Sequence, residues 1–194
     1  MTARKKHAIE ALVIGASAGG IDALLTILPG LPPTFGYTVV VLLHVPNERE
    51  SRLAEVFRQH LPMPVLQAQD KAVLAGGTVY FAPPGYHLSI ENERCFSLSQ
   101  EDPVHFSRPA IDILMTSAAD AYGPAVCGML LTGASQDGAL GLAAIGAAGG
   151  LTVVQDPKDA DMATMPEAAI RLRAPSLILP LPAIRALLAT LESI

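Results

Sequence analysis

Tryptophan is absent from this chain of 194 residues, and aromatics make up only 5% of it. A stacking platform for single-stranded nucleic acid is therefore not expected. Charge is sparse too, at 16% of residues with a formal net charge of −5. A broad cationic surface for a polyanion is excluded on that balance. The basic cluster Arg4-Lys5-Lys6 sits in a polar opening stretch of seven residues that reads as a solvated, disordered tail. The two cysteines, Cys95 and Cys127, share no metal-ligand spacing. Free thiols in a reducing cytoplasm are the default, and a bridge between them stays open. Long apolar runs are missing as well. The most apolar region, 139–154, is broken by Gly141, Gly146, Gly149 and Gly150 and is shorter than a spanning helix. No signal-peptide pattern opens the chain. The expectation is a soluble cytoplasmic protein with no membrane insertion and no nucleic-acid partner.

What is abundant is apolar residue, 51% of the chain, enough for one domain with a full core. Continuous apolar runs at 9–14, 38–43, 65–68, 125–131, 151–155 and 176–179 read as strands buried on both faces. Helical spacing follows most of them, at 20–28, 49–60 (capped by Asn47), 139–148, from near Pro166, and from Pro182 to Leu191. Another helix starts at Pro109, just after Ser107. This alternation predicts an α/β fold, doubly wound, with a mostly parallel sheet and helices on both faces. Three short runs at 78–82, 86–91 and 94–98 have links too short for parallel crossovers. They predict a small antiparallel excursion near 78–98, at a sheet edge.

The sharpest feature is the turn Gly15-Ala16-Ser17-Ala18-Gly19-Gly20 between the first strand and first helix. Two functions fit it. A dinucleotide fingerprint would use Gly15 and Gly20, but its middle glycine is replaced by Ser17, and the second strand ends in His44 instead of an acid. A nucleophile elbow, G-x-S-x-G, fits fully. The plainer explanation is a serine in an ordinary glycine-rich turn.

Parallel strands deliver their carboxyl ends to one side of the sheet. Ser17, His44 and Asp137 all follow strands there. A serine needs an adjacent base, imidazole suits that task, and a carboxylate orients the imidazole. Equally, Asp137 could be the N-cap of the helix after it, and His44 could be a core histidine.

Five blocks resemble, in order and spacing, the catalytic domain of the bacterial chemotaxis protein-glutamate methylesterases. They are Gly15-Ala16-Ser17-Ala18-Gly19-Gly20, Leu42-Leu43-His44-Val45-Pro46, Val79-Tyr80-Phe81-Ala82-Pro83, Arg108-Pro109-Ala110-Ile111-Asp112-Ile113-Leu114, and Leu131-Thr132-Gly133-Ala134-Ser135-Gln136-Asp137-Gly138-Ala139. The resemblance runs from about Ala8 to Leu191 and makes the chain one methylesterase-like catalytic domain. It implies Ser17 as nucleophile, His44 as base and Asp137 as the residue that orients it. It implies hydrolysis of γ-glutamyl methyl esters on chemoreceptor cytoplasmic helices, and deamidation of certain glutamines. No metal or cofactor is implied.

The sequence departs from the family pattern at several places. Ala18 stands where Thr or Ser is common, Leu43 where Gln is usual, and Ala134-Ser135 where Met-Gly is usual. The family's methionine contributes its backbone amide to the oxyanion site; Ala134 keeps an N–H there and changes the pocket wall. Arg171-Leu172-Arg173-Ala174-Pro175 replaces a glycine-rich end. The receiver domain that family members commonly carry has no room here; the expectation is either a stand-alone esterase, with a separate regulatory protein as one candidate partner, or an excised domain. Arg108, at the same edge, is a candidate for an acidic substrate; local packing is its other use. Two rival functions remain: a serine hydrolase of the same fold acting on another ester or amide, and a catalytically silent partner-binding domain.

Overall fold

The computed structural model describes residues 8–44 and 52–191. The opening tail with its basic cluster, Asn47 and the start of the helix expected from residue 49 lie outside the described residues. Nine strands and six α-helices are described: β1 (Ala11–Ala16), α1 (Gly20–Ile27), β2 (Thr38–Leu43), α2 (Leu53–Arg58), β3 (Val65–Gln67), β4 (Val79–Phe81), β5 (His87–Ile90), β6 (Phe96–Ser99), α3 (Ile111–Tyr122), β7 (Val126–Leu130), α4 (Ala139–Ala147), β8 (Leu151–Gln155), α5 (Thr164–Leu172), β9 (Leu177–Leu179) and α6 (Leu181–Thr190).

Seven strands form one parallel sheet in the order β3-β4-β2-β1-β7-β8-β9. β1 lies at its centre, and every residue of β1 and β2 is buried. Strand alternation divides the apolar side chains into two cores. Leu12, Ile14, Val39, Val41 and Met129 face one, with Leu24 of α1, Phe57 of α2 and Ile184 of α6. Val13, Val40 and Leu42 face the other, with Leu114 of α3, Leu142 of α4 and Ala168 of α5. The doubly wound architecture is as expected.

The antiparallel excursion expected near 78–98 is present, with two strands in place of three and away from the edge of the main sheet. Only β5 and β6 pair antiparallel, as a separate two-stranded sheet. Its Leu88, Ile90 and Phe96 enter the second core, and Ile90 N–H donates to Ser117 Oγ of α3 at 3.0 Å. It covers a face of the domain and does not extend an edge of the main sheet. The run at 78–82 belongs instead to β4, which inserts parallel between β3 and β2. The reason is burial: Val79 and Phe81 enter one core while Tyr80 enters the other, which only an interior strand allows. Its crossover, 68–78, contains no helix. The short link after β4 suggested a hairpin, but the pairing partners of β4 precede it in sequence.

The chain leaves β1 toward β2 on one side and leaves β7 toward β8 on the other. The crevice between the loops after β1 and β7 is thus a topological switch point, where open α/β sheets place their ligands.

Candidate active site

Ser17, His44 and Asp137 all lie at that crevice. Ser17 is the first residue past β1 and is half-buried. Its N–H donates to Thr132 O across the crevice at 3.0 Å, and its carbonyl accepts Gly20 N–H at 2.8 Å. The turn needs a left-handed residue, supplied by Gly19 at φ +78°. A Cβ there would also stand 2.5 Å from Asp161 Oδ2. His44 is the first residue past β2. The register pairs Ala16 with Leu43, so Ser17 and His44 follow one step later on adjacent strands. His44 N–H still donates to Ala16 O at 3.1 Å.

His44 Nε2 lies 2.8 Å from Asp137 Oδ2, with Asp137 fully buried and His44 14% exposed. The same carboxylate takes Ile111 N–H on Oδ2 at 2.7 Å and Asp112 N–H on Oδ1 at 2.9 Å. These are the first two residues of α3, so Asp137 occupies the N-terminus of that helix. The helix after it, α4, is capped by Gly138 in the left-handed region without a side-chain bond. Asp137 therefore caps a helix distant in sequence, not the one it precedes. With backbone donors on both oxygens, the carboxylate acts as acceptor, and His44 Nε2 carries the proton in this pair. His44 Nδ1 is then the free lone pair of the ring.

Ala18 and Ala134 are both exposed, and neither N–H has a partner among the described residues. Arg108 is tied locally: Nη1 donates to Gln100 O at 3.1 Å and Glu101 O at 3.0 Å. A cleft of about 400 Å³ borders the Asp137 loop, lined by His105, Gln136, Ala139, Leu140, Ala168, Arg171 and Leu172.

Three further polar residues here have no role assigned in the sequence reading. Thr132 is fully buried and bonds to both neighbouring loops. Gln155 accepts Thr132 N–H at 2.9 Å and donates to Asp159 Oδ2 at 2.9 Å. Asp112 accepts Gly141 N–H at 2.8 Å and faces His105 Nε2 at 3.4 Å. Burial raises the Asp112 carboxyl above the usual aspartate range; the charge of Asp137 raises it further, while the Gly141 N–H and His105 oppose. In sequence, Thr132 and Asp112 stand inside conspicuous blocks, but nothing local marks their partners. Among the described residues no group of three or more His, Cys, Asp or Glu is placed to hold a metal.

The sequence profile described as CheB methylesterase matches residues 12–188. The chain belongs to the CheB methylesterase family. A Leptospira interrogans relative, provisionally named protein-glutamate methylesterase/protein-glutamine glutaminase, is 42% identical over 94% of this chain and 95% of its own length. The protein-glutamate methylesterase/protein-glutamine glutaminase 1 of Carboxydothermus hydrogenoformans is 38% identical over 92% of this chain. This chain spans only 54% of that relative's length, and 53% of the 34%-identical protein-glutamate methylesterase FrzG of Myxococcus xanthus. The crystal structure of the Thermotoga maritima CheB methylesterase catalytic domain superposes with a TM-score of 0.88 at 28% identity, covering 96% of this chain and 99% of that one.

The fold and the hydrolase class are thus those of CheB methylesterases. Within that family the departures of this member are well defined in space. Leu43 is buried, and its Cδ1 would lie 2.4 Å from a Cβ on Gly20, so it packs against the start of α1. Arg171 pairs with Glu167 at 3.2 Å, and Arg173 donates to Gly146 O at 3.4 Å. No helix among the described residues is long and apolar enough to cross a membrane.

Proposed function

We propose that this protein hydrolyses γ-glutamyl methyl esters on the cytoplasmic helices of chemoreceptors, with Ser17 as nucleophile, His44 as base and Asp137 as its orienting carboxylate. The observation that carries this is the 2.8 Å His44–Asp137 hydrogen bond at the crevice that also holds the Ser17 turn. His44 Nδ1 takes the proton of Ser17 Oγ as the oxygen attacks the ester carbonyl. The resulting oxyanion is held by the free N–H groups of Ala18 and Ala134. His44 returns its proton to the leaving methoxide, and methanol departs. Water, deprotonated by the same nitrogen, then attacks the acyl-serine and releases the glutamate carboxylate and Ser17. A glutamine side chain would follow the same course with ammonia as the leaving group, so deamidation is part of the same proposal.

A cytoplasmic location, a single catalytic domain and control by a separate regulatory protein accompany this reading. No metal or cofactor enters any step. The experiment is methanol release from a methylated chemoreceptor cytoplasmic fragment, comparing wild type with Ser17→Ala. Release by wild type that vanishes in the variant supports the proposal. Release that persists in the variant removes Ser17. No release from folded wild type on several receptors removes the substrate class. A panel of small methyl esters then separates a hydrolase of other specificity from a binding domain.

A further inference from the structure

We propose that Thr132 is a positioning residue that presets both oxyanion-donor segments of the site through a single hydroxyl; this rests on the mechanism above. Thr132 follows β7 and has no exposure, and all its polar atoms are engaged. Its N–H donates to Gln155 Oε1 at 2.9 Å, and its carbonyl accepts Ser17 N–H at 3.0 Å. Its Oγ1 accepts Met162 N–H at 2.9 Å. The one hydroxyl hydrogen has two carbonyls in reach, Ala18 O at 2.9 Å and Met162 O at 3.4 Å. The shorter contact takes it.

The consequences for the turn are specific. Ser17 N–H, Ser17 O and Ala18 O are all bonded, two of them to Thr132. The peptide planes on either side of Ala18 are therefore fixed. Ala18 N–H and Gly19 N–H have no partner among the described residues and stay available. On the other side, Met162 O accepts Gly133 N–H at 3.0 Å, and Gly133 O accepts Met165 N–H at 2.9 Å. The hydroxyl that holds Met162 thereby steadies the backbone leading into Ala134. Oxyanion stabilisation depends on donors fixed before charge develops, and a misplacement of about 1 Å can cost on the order of 100-fold in rate. One hydroxyl shared by the loops after β1, β7 and β8 supplies that fixity.

The test compares Thr132→Val, which keeps shape and removes the hydroxyl, with Thr132→Ser, which keeps the hydroxyl. Two readouts are taken: kcat and KM on a methyl ester substrate, and the backbone amide resonances of Ala18, Gly19 and Ala134 by NMR. The expected result for Val is a kcat loss of about 10–100-fold with KM within about twofold. Its three amide resonances shift or broaden, and Ser restores both. A Val variant with wild-type kcat overturns the proposal, and so does a loss that Ser does not restore. If wild type proves inert on every ester, the mechanism above fails, and the amides alone decide the positioning. Resonances disturbed in Val and restored in Ser support it; unchanged resonances overturn it. Should Val not fold, Thr132→Cys takes its place, with the same pattern expected at smaller amplitude.

Discussion

His44 Nε2 stands 2.8 Å from Oδ2 of the fully buried Asp137, and that carboxylate also receives the first two N–H groups of α3. One side chain thus serves the imidazole and a helix terminus together. Asp137→Asn should uncouple the two. An amide in this place offers one acceptor oxygen where two are used, and its NH2 meets a donor. The corresponding change in another Ser-His-Asp hydrolase lowers kcat about 10⁴-fold through the wrong histidine tautomer. A loss of about 10³–10⁴-fold is expected here, measured as kcat for methyl ester hydrolysis. Asp137→Ala strands buried donors as well, at about 1–3 kcal/mol each. A fall in denaturation midpoint beyond that of Asn checks this.

Gly133→Ala should damage both activity and stability. The added Cβ would lie 2.6 Å from Met165 Cε, 2.8 Å from its Sδ and 3.0 Å from Ser17 Cβ. The methionine tail is flexible and can move. Ser17 cannot, because its N–H and carbonyl are both bonded. Overpacking of this kind costs about 1–3 kcal/mol in stability. A kcat loss of at least about tenfold is expected from displacement of the serine. Adding Met165→Ala removes the two methionine contacts but empties a fully buried core position, at about 2–5 kcal/mol. It should therefore recover activity in part without restoring stability, which unfolding curves and kinetics on the same samples will show.

Asp112 gives the fold a pH dependence of definite sign. Burial raises its folded-state pKa above the ordinary aspartate value of 3.8, with Asp137 adding to the shift and the Gly141 N–H and His105 opposing it. The folded state then holds this proton more tightly than the unfolded state. Its contribution to stability is full below about pH 4 and is lost as pH rises through the raised value. Asp112→Asn keeps an oxygen for Gly141 N–H and removes the titration. The stability of the variant relative to wild type should therefore rise with pH across that window. Urea denaturation at pH 4 and pH 7 measures it, and a difference that stays constant or falls would contradict the sign.

The two thiols should differ sharply. Cys127 on β7 is fully buried, and burial pushes its pKa up to about 12, so almost no thiolate exists at neutral pH. Cys95 is only half-buried. An aromatic disulfide reagent should label at most one thiol per native chain at neutral pH and two after denaturation. Peptide mapping should place the native label on Cys95.

The sequence by itself determined the local pieces. Continuous apolar runs fixed β1, β2, β7 and β8 to within two residues, because strands buried on both faces admit almost no polar side chain. Their alternation with amphipathic stretches determined a parallel, doubly wound sheet, and strand direction alone brought Ser17, His44 and Asp137 to one edge. Tertiary structure decided what each piece meets. The place of β4 between β3 and β2 depends on partners 12 or more residues before it, which its own pattern does not record. Whether Asp137 caps α4 or α3 turns on a helix 25 residues upstream. The three carbonyl and amide partners of the Thr132 hydroxyl lie on loops brought together only by sheet order. Burial and periodicity are properties of a segment and can be read along the chain. Hydrogen-bond partners across a crevice are properties of the packed whole, because they exist only once the sheet has set which loops are neighbours.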